Sequence, residues 1–160
     1  MIVAGIASID NATGGVIALY GGRDYTENFI NWATTRRPVG STFKPYMALA
    51  ALELGKRRPE QTIFDPGYYN FGNHQFRDDK KGGHGSVNMY TSIVQSCDTY
   101  YYMLANDLGI DSISSFMAQF GFGQLSGIDI DGESRGVLPS QEWKQRRFKK
   151  PEQQKWYAGE

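Results

Sequence analysis

A serine and a lysine stand three residues apart at Ser41 and Lys44, inside the string Arg37-Pro38-Val39-Gly40-Ser41-Thr42-Phe43-Lys44-Pro45. A serine hydroxyl is a poor nucleophile until a base takes its proton. Positions i and i+3 share a face on one turn of helix, so Lys44 can reach Ser41 without help from distant parts of the chain. The run that follows, Tyr46 to Leu54, is apolar except for Glu53 and reads as a helix buried in a core. A lysine at the mouth of such a helix is partly desolvated, which favours the neutral amine, the form that accepts a proton. Ser-x-x-Lys also arises by chance in many proteins. Pro45, which has no N–H, is expected to push Lys44 away from helical geometry and leave the first turn irregular.

Two further groups carry chemistry. Ser96-Cys97-Asp98 sits at a junction between helical patterns. A serine there is commonly just an N-cap. In a locally extended backbone, side chains 96 and 98 would share one face and Cys97 would point to the other. The second group is scattered: Asp65 in Phe-Asp-Pro-Gly, Asp78, His84 among Gly82, Gly83 and Gly85, and Cys97. Two carboxylates, an imidazole and a thiolate suit tetrahedral zinc. Each also has a plain structural use, as turn residue, polar loop residue or small buried residue.

These groups need elements to hold them. Ile2 to Ile9 and Gly15 to Tyr20 are β-branched runs joined by Asp10-Asn11-Ala12-Thr13-Gly14, which predicts a hairpin. Gly55 is a plausible cap for the buried helix, and Arg57-Arg58-Pro59 stops it. Gln61 to Gly85 lacks a helical period and reads as a long irregular segment. A helix is expected from Ser86 to about Gln95. Another has Tyr101, Leu104, Ala105 and Leu108 on one face, and a third has Ile113, Phe116, Met117 and Phe120. Ile128 to Ile130 looks like a short strand, and Trp143 onward is polar and basic with no closing element.

At 160 residues the chain has the length of one domain. Seventeen Lys and Arg balance seventeen Asp and Glu, so no global field points to nucleic acid or an anionic membrane. The basic run Lys144, Arg146, Arg147, Lys149 and Lys150 reads as solvated surface. One cysteine excludes an internal disulfide. No stretch has the length and apolarity of a membrane span, and the first residues do not resemble a signal peptide.

The wider strings narrow these alternatives. Pro38-x-Gly40-Ser41-Thr42-Phe43-Lys44-Pro45 resembles the nucleophile motif of the penicillin-binding transpeptidases. Ser96-x-Asp98 occupies the place of that family's second motif, Ser-x-Asn, with Asp98 in the Asn position. From about Phe64 to Glu160 the strings Ser-Cys-Asp-Thr-Tyr-Tyr-Tyr, Phe-Gly-Phe-Gly, Ser-Gly-Ile-Asp, Pro-Ser-x-Glu-Trp-Lys and Arg-Phe-Lys-Lys-Pro resemble the elongation-type class B enzymes of the penicillin-binding protein 2 group. Gly21-Gly22-Arg23-Asp24-Tyr25 and Asn31-x-Ala33-Thr34 look more like the bifunctional class A enzymes. The family's third motif, Lys-Thr/Ser-Gly, is absent, since Lys81-Gly82-Gly83 lacks the hydroxyl. Residues 1–160 are therefore expected to be the N-terminal part of one such transpeptidase domain, a single fragment.

The resemblance implies an α/β fold: an antiparallel, incomplete sheet packed on helices, with the Tyr46–Leu54 helix against the first strands, a mostly helical lobe and the active-site cleft between. It implies a D,D-transpeptidase in which Ser41 is acylated by stem peptides ending in D-Ala-D-Ala, or by β-lactams. Lys44 would be the proton acceptor, Ser96 would relay a proton to the leaving amine, and Asp98 would support it. With one oxyanion donor on the missing strand, the fragment alone is expected to be weak or inactive. Asp65, Asp78, His84 and Cys97 match the elements that form a structural zinc site in some members of the penicillin-binding protein 2 group. Other cell-wall synthesis proteins are implied partners, and the periplasmic face of the bacterial inner membrane is the implied location, with the membrane anchor absent here. A β-lactam sensor or β-lactamase, and a scaffold module without chemistry, are the alternative readings.

Overall fold

The computed structural model describes residues 4–157 apart from 25, 27 and 28. Two compact units emerge: Met1–Pro38 with Gly123–Val137, and Val39–Phe122 with Leu138–Glu160. Expectations for residues 2, 3 and 25 lie outside the described residues. Among the described residues no helix is long and apolar enough to cross a membrane.

In the first unit, β1 (Ile6–Ile9) pairs antiparallel with β2 (Val16–Tyr20), with Ile6 opposite Tyr20 and a bulge between Ser8 and Ile9. Asp10 makes the turn. Its carboxylate accepts the Ala12 N–H at 2.8 Å and its carbonyl accepts the Gly14 N–H at 2.8 Å, the short-range bonding that makes Asp a turn residue. Residues 128–130 do not form the expected strand. Glu133 instead accepts the N–H groups of Ser126 and Gly127 at 2.6 and 3.3 Å, so a side chain takes backbone donors and the segment stays a loop.

The second unit holds every candidate site residue. A 3₁₀ turn, Gly40–Phe43, leads into α1 (Lys44–Glu53). Lys44 is helical at φ −57° and ψ −44°, contrary to the expectation from Pro45. Pro45 falls in the first helical turn, where its missing N–H costs no hydrogen bond, and the 3₁₀ turn before it makes the lead-in. The helix ends in a Schellman motif: Gly55, at φ 63°, donates to Leu52 O and Lys56 donates to Ala51 O. Its burial is one-sided. Met47, Ala48, Ala50 and Ala51 are core, whereas Leu49 and Leu52 stay 45% and 42% exposed.

The Gln61–Gly85 stretch is ordered rather than irregular. β3 (Ile63–Asp65) pairs with β6 (Gly85–Val87), and between them β4 (Tyr68–Phe71) and β5 (His74–Arg77) form a separate hairpin. Gly72-Asn73 turns that hairpin with Gly72 at φ 56°. This two-residue loop between aromatic-rich strands is a hairpin signal. Ser86 and Val87 belong to β6, so α2 (Met89–Val94) starts later than its periodicity suggests, where Asn88 and Thr91 form a capping box. α3 (Asp98–Leu108) and α4 (Ile110–Ala118) follow, and α1 packs on α2, α3 and α4. Tyr100, Tyr101, Leu104, Leu108 and Met117 complete the core. The polar end of the chain does form helices, α5 (Gln141–Arg147) capped by Ser140 and α6 (Pro151–Gln154). Lys144, expected on a solvated surface, is 7% exposed with Trp156 and Tyr157 rings near its ammonium.

The ends of the β4–β5 hairpin are pinned where the Asp65–Gly67 and Gly82–His84 backbones meet. A Cβ on Gly83, at φ 79°, would fall inside the contact distance of Asp65 O and Gly67 N, whereas one on Gly72 would meet nothing. Gly72→Ala should cost only the left-handed backbone penalty, roughly 1–2 kcal/mol. Gly83→Ala should cost that and more, because two backbone segments must part. Urea unfolding midpoints of the two variants check this ordering.

Candidate active site

Each site residue is placed by an element boundary. Ser41 lies in the 3₁₀ turn, Lys44 opens α1, and Asp98 opens α3. Ser96 sits in the turn from α2 to α3 and is the non-glycine residue described with positive φ, at 55°. The tripeptide 96–98 is thus not extended. A left-handed Ser96 and an extended Cys97 (φ −62°, ψ 112°) turn the chain sharply, so the separation of side chains arises from a turn and not from strand alternation.

Lys44 is the hub. Its side chain is 11% exposed, and Nζ donates to Ser96 O at 2.5 Å, Ser96 Oγ at 3.0 Å and Asp98 Oδ1 at 2.5 Å. An ammonium has three N–H donors, and these three acceptors use all of them. Ser96 Oγ in turn donates to Ser41 Oγ at 2.9 Å. The expected direct approach of Lys44 to Ser41 is replaced by a line, Lys44 Nζ to Ser96 Oγ to Ser41 Oγ. The geometric reason is that a helical Lys44 sends its side chain towards the start of α3, where a carboxylate and a carbonyl await it. The Ser41 N–H lies in the opening turn of helical backbone, where amide donors lack intrahelical partners and can face an oxyanion.

Behind Ser96 the second group comes together. Ligand-type atoms of Asp65, Asp78, His84 and Cys97 lie within 4.8 Å of one another. Cys97 Sγ is 3.5 Å from Asp65 Oδ2 and 3.5 Å from Asp78 Oδ2; His84 Nδ1 is 2.9 Å from Asp65 Oδ2 and 3.4 Å from Asp78 Oδ1. Backbone donors fix the carboxylates: Gly67 N–H and His84 N–H bond Asp65, and Thr99 N–H bonds Asp78 at 2.9 Å. Burial alone would raise both carboxyls, but hydrogen bonding outweighs it and holds them below the usual range, led by the Thr99 side chain for Asp65 and by the Thr99 N–H for Asp78. Burial, with the two carboxylates beside it, pushes the Cys97 thiol up to about 12. Thr99 and Gly83 were not legible as site residues. Thr99 bonds Asp78 through its backbone, which any residue supplies, and Gly83 acts through close approach.

The geometry can be set beside known proteins. Residues 4–151 match the family model described as the penicillin binding protein transpeptidase domain. The peptidoglycan D,D-transpeptidase MrdA of Acinetobacter baumannii is 49% identical over 77% of the chain, and MrdA of Escherichia coli K12 is 38% identical over 98%. The chain spans 18% and 28% of the length of those two relatives. Among solved structures, Pseudomonas aeruginosa PBP2, crystallised with WCK 5153, superposes with a TM-score of 0.83 at 36% identity, covering 97% of this chain and 40% of that one. PBP2 from Helicobacter pylori gives 0.79 at 28% identity, covering 97% and 33%. With the family model spanning residues 4–151 and relatives at 38% and 49% identity, this chain belongs to the penicillin-binding protein transpeptidase domain family.

Proposed function

We propose that the chain carries the nucleophile-bearing part of a peptidoglycan D,D-transpeptidase. The observation that carries this reading is the hydrogen-bonded line from Ser41 Oγ through Ser96 Oγ to Lys44 Nζ. Ser41 Oγ attacks the penultimate D-alanine carbonyl of a stem peptide ending in D-Ala-D-Ala. An ester forms, the terminal peptide bond breaks and D-alanine leaves; an amine of a neighbouring stem then takes the acyl group. The Ser41 proton passes to Ser96 as Ser96 passes its own to the neutral form of Lys44. In that form the amine keeps its donations to Ser96 O and Asp98, the Ser96 hydroxyl turns from Ser41 to donate to Nζ, Ser41 donates to Ser96 Oγ, and the reverse transfer protonates the leaving amine. Asp98 holds Nζ in line. β-Lactams acylate the same hydroxyl.

The place of work is the periplasmic face of the inner membrane, as part of cell-wall elongation. Other wall-synthesis proteins are its partners. Support comes from Helicobacter pylori PBP2, a structural neighbour at TM-score 0.76 and 28% identity whose structure is a complex with MreC.

The Asp65, Asp78, His84 and Cys97 group is the zinc site of this reading. The test of fit is charge. Both carboxylate side chains are fully buried, and among the described residues no lysine or arginine makes an ion pair with either, so beside the backbone donors the imidazole is the one group that can bring positive charge. Buried negative charge without a compensating partner is costly, and a divalent cation supplies one. Bound there, zinc would supply structure rather than a reaction step, because four protein donors fill a tetrahedral site. The residues do the rest. Asp65 and Asp78 bracket the β4–β5 hairpin and Cys97 fixes the turn that presents Ser96.

After prolonged exposure to a reactive fluorescent penicillin, intact mass should show one slowly formed adduct, and peptide mapping should place it on Ser41. Ser41→Ala should abolish it, and Lys44→Ala should slow it by roughly a hundredfold or more. An adduct on another serine contradicts the assignment. Elemental analysis should find one zinc per chain, and a chelator, or His84→Ala, should remove it and lower the melting temperature by several degrees. Metal-replete protein with no stoichiometric zinc refutes that site.

A further inference from the structure

The proposed acylation explains Ser41, Lys44, Ser96 and Asp98 but leaves unexplained what backs the amine. Tyr101 follows Asp98 by three residues on α3, so the two share a helix face. Its ring centroid lies 5.7 Å from Lys44 Nζ, within the range at which a ring face attracts an ammonium. The three N–H donors of Lys44 are committed to Ser96 and Asp98, so the ring is an apolar contact that adds direction without competing for a donor.

The ring is itself held. Ser92, on α2, is fully buried, and its Oγ donates to Met89 O at 2.7 Å. That donation leaves the Ser92 lone pairs to accept the Tyr101 hydroxyl at 3.1 Å. The bond ties α2 to α3 across the turn that contains Ser96, the residue in left-handed backbone. Left-handed serine is unfavourable by itself and persists only where its surroundings enforce it. Helix ends strapped together on both sides of the turn are such an enforcement.

We infer that Tyr101, strapped by Ser92, is a positioning residue that places the Lys44 amine against Ser96 and Asp98. The inference rests on the proposed acyl-serine chemistry, and it assigns the two halves of the tyrosine different tasks. The ring seats Nζ, and the hydroxyl seats the ring.

The test is saturation kinetics of β-lactam acylation in the full chain, with melting temperature measured alongside. Tyr101→Leu should lower the limiting acylation rate by roughly tenfold while leaving the half-saturating β-lactam concentration unchanged, because the ring touches Lys44 and not the ligand. Tyr101→Phe keeps the ring and should restore the rate to within about threefold of the wild type. Leu108→Ala, a core change on the same helix away from Lys44, serves as the stability control. If it slows acylation as much as Tyr101→Leu at an equal loss of melting temperature, Tyr101 is only a core residue and the inference falls. It falls also if Tyr101→Phe is as slow as Tyr101→Leu. Where acylation of the wild-type chain is too slow to time, as a missing oxyanion donor allows, the placement of Lys44 is read separately. Acetylation of Lys44 by acetic anhydride, quantified by peptide mass spectrometry, should be several-fold faster in Tyr101→Leu than in the wild type or Tyr101→Phe. Equal rates in all three proteins would overturn the inference on their own.

Discussion

The three hydrogen bonds of the Lys44 amine are the interaction on which the site depends. A nearly buried lysine must have its charge met, and the bonds to Ser96 O, Ser96 Oγ and Asp98 do this with residues from the far side of the sequence. Those bonds join the start of α1 to the start of α3 and fix the position of Ser96. Because Ser96 then reaches Ser41 at 2.9 Å, the Ser41 hydroxyl is connected to the Lys44 amine through a second hydroxyl. The charge that must be compensated for folding is thus the group to which the proposed acylation assigns the proton.

The same turn is held from behind. Cys97 is fully buried and its sulfur meets Asp65 and Asp78, the residues that bound the β4–β5 hairpin. Ser96 and Cys97 are neighbours in the chain yet serve opposite sides of the turn. A hairpin of two strands has little stability by itself. Its attachment here comes from backbone donors to the two carboxylates, from Phe76 packing on Tyr102, and from the glycine contact at Gly67 and Gly83. Order in the segment from Ile63 to Val87 and the posture of Ser96 are parts of one arrangement.

Much of this was legible in the sequence where local chemistry decides it. The first hairpin, the helix after Ser41, the aromatic and leucine face of α3, and the pairing of Ser41 with Ser96-x-Asp98 all follow from motif or period. The rest depended on tertiary context. Pro45 argued against a helical Lys44, but a proline in the first turn gives up no bond. Residues 61–85 looked irregular because strands of three and four residues give too short an alternation to stand out among glycines. The helical period from Ser86 concealed the last strand, and only the Asn88–Thr91 box marks the true start of α2. That Ser96 would lie between Ser41 and Lys44 could not be read from spacing, because it depends on a left-handed backbone at Ser96.

Whether Ser41 reaches Lys44 through Ser96 is decided by a double-mutant cycle on the limiting rate of β-lactam acylation. Lys44→Ala and Ser96→Ala each cut one link of the same line. The doubly substituted chain should be no slower than the slower single variant, because a broken line cannot be broken twice. Losses that multiply, with Ser96→Ala slowing Lys44→Ala by the same factor as it slows the wild type, would show two independent roles and contradict the relay.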